Sequence, residues 1–176
     1  MKIIELRKED FKGKEYLFEY ETNSYIDIEI TDNRIELIRK SFPETIKKSF
    51  KSSLFSDWLE LPIAYGAYDN GKLLGFIEGS IESWNNRFRI TNILVFKEYR
   101  NKGIGQSLLN ILIEYSKTLN TRMIVLETQS CNTKAIDFYH KNGFSLIGFD
   151  LYNYSNEDLI KKEVRIEMGK MISKIK

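Results

Sequence analysis

Between Tyr99 and Leu109 the chain reads YRNKGIGQSLL. Gly103 and Gly105 sit one residue apart, with Arg100 and Lys102 just ahead and an apolar helical pattern straight after. A helix N-terminus presents unpaired N–H groups and a partial positive charge, so it attracts anions. Glycine lets an anion approach the backbone with no Cβ in the way, and the two cationic side chains add to the field. The chemistry this spacing favours is the holding of a phosphate or pyrophosphate. A strand-to-helix turn that needs glycine for backbone geometry alone would carry the same residues, so that alternative stays open here. Spacing excludes two familiar loops. No Lys-Ser or Lys-Thr follows Gly105 in the register of GxxxxGK[ST], and GxGxxG fails at Leu108.

Other groups able to do chemistry are few. Asn132, Ala135, Ile136 and Tyr139 recur at i, i+3, i+4 and i+7, on one face of a short helix. Asn132 also suits the N-cap of that helix. Glu78 and Glu82 are four apart on a strand and share its face, and Glu127 lies in LETQ. Each could equally be a solvated strand residue. One His and one Cys, His140 and Cys131, stand in no ligand-like spacing, so no metal site is expected. His140 adjoins the KNG that ends its helix, where a surface cation is ordinary. Cys131 reads as a small structural residue.

The elements that must position these groups follow from periodicity. Ile3–Leu6 reads as a short strand, Phe11–Tyr20 fits helix or strand, and YIDIEI (25–30) alternates as a half-buried strand. Pro43 and Glu44 mark a helix start in SFPETIKKSFKSSLF. A meander follows, with strands 63–69, 72–83 and 87–96, turning first at Asn70-Gly71 as a type I′ hairpin. Ile104, Leu108, Ile111, Leu112, Tyr115 and Leu119 mark the inner face of a long helix. Then come the strand RMIVLET, the helix CNTKAIDFYHKNGF with Gly143 at its C′ position and Phe138 turned to the core, and strands near 144–152 and 163–168. This is an α+β, layered α/β pattern with a mixed sheet and a right-handed parallel crossover through the long helix.

Composition bounds the function. The 176 residues fit one domain, 1–176, with 42% hydrophobic and 13% aromatic content to fill a core. A net charge of +2 is too balanced for a dedicated nucleic-acid binder. With no long apolar run, a single cysteine and an early turn to charged residues, the expectation is a cytoplasmic chain with no membrane partner.

The R-x-x-G-x-G of Arg100–Gly105 resembles the acetyl-CoA loop of the GNAT superfamily of acyl-CoA-dependent N-acyltransferases, whose signature is [QR]-x-x-G-x-[GA]. The preceding strand Ile93-Leu94-Val95 and the N-x-x-A-x-x-F-Y-x-K-x-G-F run of Asn132–Phe144 are also in that form. The resemblance covers most of the chain from Ile63 to Met168. It implies a single-domain GNAT-like fold, with a mixed, mostly antiparallel central sheet and helices on both faces. Acetyl-CoA is the implied co-substrate, with no metal. The backbone N–H groups of Arg100, Asn101, Lys102, Gly103, Ile104, Gly105 and Gln106 would cradle its pyrophosphate. Leu94 and Val95 would line the pantetheine arm, where the strands on either side of the long helix part. The Leu94 N–H would hold the developing oxyanion. Asn132, Ala135 and Tyr139 would also contact the cofactor, and the Tyr139 phenol would protonate the departing thiolate. RITNILV carries Thr91 and Asn92 where many relatives have an acidic residue, so the candidate general bases are Glu78, Glu82 and Glu127.

ESWNNRF, LETQSCN and IGFDLYNYSNED further resemble streptothricin acetyltransferases and their relatives. That implies a primary amine on a small cationic antibiotic as acceptor. A protein N-terminus, a lysine or a polyamine is the alternative within the class. A non-catalytic coenzyme A-binding sensor or partner domain is the alternative outside it. A homodimer is compatible with all of these.

Overall fold

This computed structural model describes residues 1–172. In chain order they form β1 (Lys2–Glu5), α1 (Lys8–Phe11), β2 (Glu15–Thr31), β3 (Arg34–Ser53), β4 (Glu60–Asp69), β5 (Lys72–Glu82), β6 (Arg87–Val95), α2 (Ile104–Thr118), β7 (Met123–Gln129), α3 (Thr133–Lys141), β8 (Ser145–Asp150), α4 (Asp158–Lys161) and β9 (Arg165–Met171). The architecture is α+β with mixed strand directions, as the sequence pattern implies. Contacts divide the chain into two units: residues 1–18, 51–126 and the end from Met171, and residues 19–50 and 127–170.

In the first unit β1, β4, β5 and β6 pair antiparallel in that order. Asn70 and Gly71 turn β4 into β5 with φ of 46° and 78°, the positive values a type I′ hairpin needs. β5 and β6 approach closely at one point, because a Cβ on Gly79 would stand 2.3 Å from the fully buried Phe88 ring. β6 then pairs with β7 in parallel, through the α2 crossover. A core cluster of Leu6, Phe18, Leu54, Phe55, Ala64, Phe76 and Leu94 fills this unit. Phe76 is its centre, with the Tyr16, Phe18 and Phe96 rings 4.6, 6.2 and 6.3 Å away. The inner face of α2 is Ile104, Leu108, Leu109, Leu112, Ile113 and Ser116. It lies slightly round from the expected stripe, leaving Ile111, Tyr115 and Leu119 half-buried.

The second unit contains most of the β2–β3 ladder and the antiparallel β8–β9 pair. The helix expected from Pro43 is absent, and β3 runs straight through it. The apolar residues Ile38, Phe42, Ile46 and Phe50 recur every four positions. Four is an even number, so this spacing holds one face of a strand as well as one face of a helix. Two strands offer only edges, where a proline's missing N–H costs little. The reading of Phe138 is also corrected: Tyr139 is the buried ring of α3 and Phe138 is half-buried. The α4 turn was not anticipated. Its Asp158 is fully buried and accepts the Tyr154 N–H and the Ser155 hydroxyl, both at 2.7 Å. Ser155-x-x-Asp158 is the signature that could have revealed it.

Candidate active site

The site begins where β6 ends. The parallel pairing with β7 runs only from Arg87↔Met123 to Arg89↔Val125, although β6 itself continues to Val95. Beyond Val95 a short 3₁₀ turn leads into the glycine loop. Arg100 does not stand free there: its Nε donates to the Val95 carbonyl at 3.0 Å, pinning the loop to the strand end. Asn101 and Gly103 both take left-handed backbone, at φ 62° and 77°. Gly103 is the N-cap of α2, and no side chain caps that helix. Ile104 is buried and anchors the first turn, while Asn101, Lys102 and Gly103 are exposed. The Lys102 ammonium lies 5.6 Å from the centroid of the Tyr99 ring. The Gln106 amide donates to Asn110 Oδ1 at 2.9 Å, one turn along.

This arrangement fits the pyrophosphate of acetyl-CoA. A Cβ built on Gly103 would meet no atom of the protein within 4 Å, so the backbone here opens outward. Alternating left-handed residues turn successive N–H groups toward one side, which makes an anion-binding concavity. The helix N-terminus behind it supplies the same sign of field.

The three candidate carboxylates have different surroundings. Glu78 is fully buried on β5. Its Oε1 accepts the Phe55 N–H at 2.5 Å, and its Oε2 accepts the Thr91 hydroxyl at 2.6 Å and the Asn92 amide at 2.8 Å. Glu82 receives Nε of Arg87 at 3.2 Å and of Arg89 at 2.5 Å. Burial pushes its carboxyl pKa up, but the Arg89 hydrogen bond and the two guanidinium charges outweigh that and hold it below the usual range. Glu127, in the second unit, pairs with Arg165 at 2.7 Å.

In α3 the Asn132 side chain accepts the Ala135 N–H at 3.4 Å, so it does act as the N-cap. Tyr139 is 5% exposed, with the Phe138 and Phe144 rings 5.3 and 5.8 Å away. Burial raises its phenol pKa, so the proton stays on throughout the neutral range. His140 is exposed in the last turn, as its sequence position suggested. Cys131 is fully buried beside the Tyr20 hydroxyl at 3.3 Å, and burial raises its thiol pKa. That environment disfavours a thiolate nucleophile.

Sequence reasoning missed two sets of polar contacts. The first is the linkage of Glu78 to Thr91 and Asn92, two strand residues that the sequence marked only as lacking a carboxylate. The second joins Tyr20 to Gln129 by a hydrogen bond in the second unit, where the Glu127 charge also acts on Tyr154. Neither has a short-range signal. Tyr20 and Gln129 lie 109 positions apart.

A parallel crossover that carries a glycine-rich loop, beside a strand whose pairing with its neighbour stops early, is the arrangement that the resemblance to acyl-CoA-dependent N-acyltransferases implies. The model of the acetyltransferase (GNAT) family matches residues 27–144, and the chain belongs to that family. It is thereby an acetyl-CoA-dependent N-acetyltransferase. Among curated proteins it is 32% identical to a streptothricin acetyltransferase of Escherichia coli, over 78% of this chain and 76% of that one. Among solved structures it is similar to a candidate streptothricin acetyltransferase from Bacillus anthracis str. Ames in complex with acetyl coenzyme A. That match has 27% identity and a TM-score of 0.72, covering 96% of this chain and 98% of the other. A nourseothricin acetyltransferase superimposes with a TM-score of 0.77 over 98% of both chains. At 23% identity, that likeness speaks to the fold alone. Among the described residues no helix is long and apolar enough to cross a membrane, and no cluster suited to a metal ion is found.

Proposed function

We propose that this chain acetylates a primary amine of a streptothricin-type antibiotic and so confers resistance to it. The observation that carries the donor side is the uncapped N-terminus of α2 behind left-handed Asn101 and Gly103. The kinship with streptothricin acetyltransferases supports the acceptor side. Acetyl-CoA, when bound, supplies an acyl group activated as a thioester.

The protein's own part is then as follows. Backbone N–H groups of Arg100–Gln106 hold the pyrophosphate, and Leu94 and Val95 line the arm that follows it. The Leu94 N–H faces Phe76 across the antiparallel β5 ladder, so the expectation for it is corrected. The N–H groups of Ile93 and Val95, which face away from β5, are the ones that meet the oxygen on which negative charge develops, the role for which preorganised backbone donors are best suited. Asn132 and Ala135 contact the donor from α3. Tyr139 delivers a proton to the leaving sulfur, and its neutral phenol is available for that across the neutral range. The amine must lose a proton before it attacks. Glu78 is engaged by three neutral donors, Glu82 by Arg87 and Arg89, and Glu127 by Arg165, which leaves an ordered water relaying to solvent as the acceptor of that proton.

The test is thiol release from acetyl-CoA in the presence of streptothricin, aminoglycosides, polyamines or peptides with free N-termini. Saturable turnover with streptothricin is expected. Turnover confined to polyamines or peptides would refute the acceptor assignment. Binding of acetyl-CoA without turnover on any amine would instead favour a non-catalytic sensor.

A further inference from the structure

Glu78 is an unusual strand residue. Its carboxylate is fully buried, and all three of its donors are neutral: a backbone N–H, a hydroxyl and a primary amide. A buried carboxyl group left without partners is costly, and its three hydrogen bonds offset that cost. With both oxygens engaged, it has no open face toward an incoming amine.

What it joins is informative. The β5–β6 ladder pairs Glu78 with Asn92 and Gly79 with Ile90, so Thr91 is an extra residue on β6, a β-bulge. Glu78 Oε2 grips both Thr91 and Asn92 at that bulge. Asn92 in turn donates to the Ser53 carbonyl at 3.4 Å. Glu78 Oε1 holds the N–H of Phe55, a bulky residue at φ 57° whose ring is buried in the core cluster. Left-handed backbone at such a residue is strained and persists only where its surroundings impose it. Ile93 follows Asn92 directly, and its N–H, like that of Val95, faces away from β5, where the oxyanion role falls. One buried carboxylate therefore ties the 53–55 segment to the bulge that sets the course of the strand end.

We propose that Glu78 is a positioning residue for acyl transfer and not the general base: it locks the Thr91–Asn92 bulge and so fixes the direction of the Ile93 and Val95 N–H groups beyond it. This rests on the acetyl-transfer reading above.

The test compares wild type with Glu78→Gln, by steady-state kinetics over a range of pH and by amide hydrogen exchange of the β6 backbone. A loss of alignment predicts that kcat falls roughly ten- to a hundredfold, since a misplacement of about 1 Å can cost about 10²-fold. KM for acetyl-CoA should stay within about twofold, because the loop at 100–106 is untouched. The ionisation limb of the pH profile should keep its position, and exchange should quicken at Leu94, whose N–H faces β5, but not within α2. A limb that vanishes in Glu78→Gln would make Glu78 the base and overturn the proposal. Unchanged kcat with unchanged exchange at Leu94 would overturn it as well. If Glu78→Gln does not fold, Thr91→Val and Asn92→Ala carry the test, each removing one donor at the bulge. Wild-type kcat in both would overturn the proposal. The exchange measurement needs no acceptor, so wild-type protein that turns over no amine would sink the acetyl-transfer reading while the bulge lock is still judged by exchange.

Discussion

Asn101 and Gly103, two residues apart, both hold left-handed backbone, at φ 62° and 77°. Asn is among the few side chains that tolerate that region, and Gly has no penalty there. The first prediction follows from Gly103→Val. A Cβ at this position meets no protein atom within 4 Å, so the chain itself loses only backbone strain, about 1–2 kcal/mol. A bound pyrophosphate, however, would be held off the amides. Losing one charge-assisted hydrogen bond, worth about 1.5–3 kcal/mol, weakens acetyl-CoA binding roughly ten- to a hundredfold. Gly103→Asn, which tolerates the left-handed backbone, separates strain from obstruction. Calorimetry on folded variants that found wild-type acetyl-CoA affinity in both would remove the phosphate assignment.

Asn132 separates two roles in the same way. As the N-cap of α3 it holds the Ala135 N–H at 3.4 Å, a long hydrogen bond. Asn132→Ala should therefore lower stability by an amount near the bottom of the usual range for a lost cap, about 0.5–2 kcal/mol. If Asn132 also contacts the donor, acetyl-CoA affinity falls more than that stability loss accounts for. Thermal unfolding and cofactor titration on the same variant decide it: equal wild-type affinity leaves Asn132 as a cap alone.

How far the sequence reveals this arrangement depends on whether the signal is local. The Asn70-Gly71 turn, the α2 stripe and the loop at Arg100–Gly105 are written within a few residues; the turn and the loop are found where expected, and the stripe only slightly round from it. Over β3 the sequence favours a helix, because Ile38, Phe42, Ile46 and Phe50 suit either period and Pro43 looks like a helix start when the exposed edge that tolerates it cannot be seen. Glu78 was legible as a carboxylate but not as a buried one. Its partners come from residues 55, 91 and 92, brought to it by the strand pairing and by a one-residue bulge that no periodicity announces.

Asp27 on β2 carries a pH prediction. Its carboxylate receives the Lys40 ammonium at 2.7 Å and that of Lys162 at 3.0 Å. The Lys40 hydrogen bond, opposed by burial and assisted by Lys162, lowers its pKa below the ordinary aspartate value. A depressed folded pKa stabilises the protein above the unfolded value of about 3.9, and that stabilisation is lost as pH falls through the folded pKa. Asp27→Asn should thus unfold at a lower temperature than wild type at pH 7. The gap should narrow as pH drops below about 4. A gap that is constant from pH 7 to pH 3 would show that the charge on Asp27 contributes nothing.

Tyr139 packs against Phe144 with ring centroids 5.8 Å apart and is 5% exposed. Tyr139→Phe keeps that packing and deletes only the hydroxyl, so stability should change little. If the phenol protonates the departing thiolate, kcat falls by roughly 10²–10⁴, the usual contribution of a positioned acid, while acetyl-CoA affinity stays close to wild type. Burial raises the phenol's pKa, so wild-type activity should show no alkaline limb from Tyr139 within the neutral range. The loss in Tyr139→Phe should shrink with an acyl donor whose leaving thiol is more acidic, because that thiolate departs with less help. A core aromatic with no chemical role predicts near-normal kcat with every donor. Finding that in Tyr139→Phe would assign the final proton to water and leave Tyr139 to packing alone.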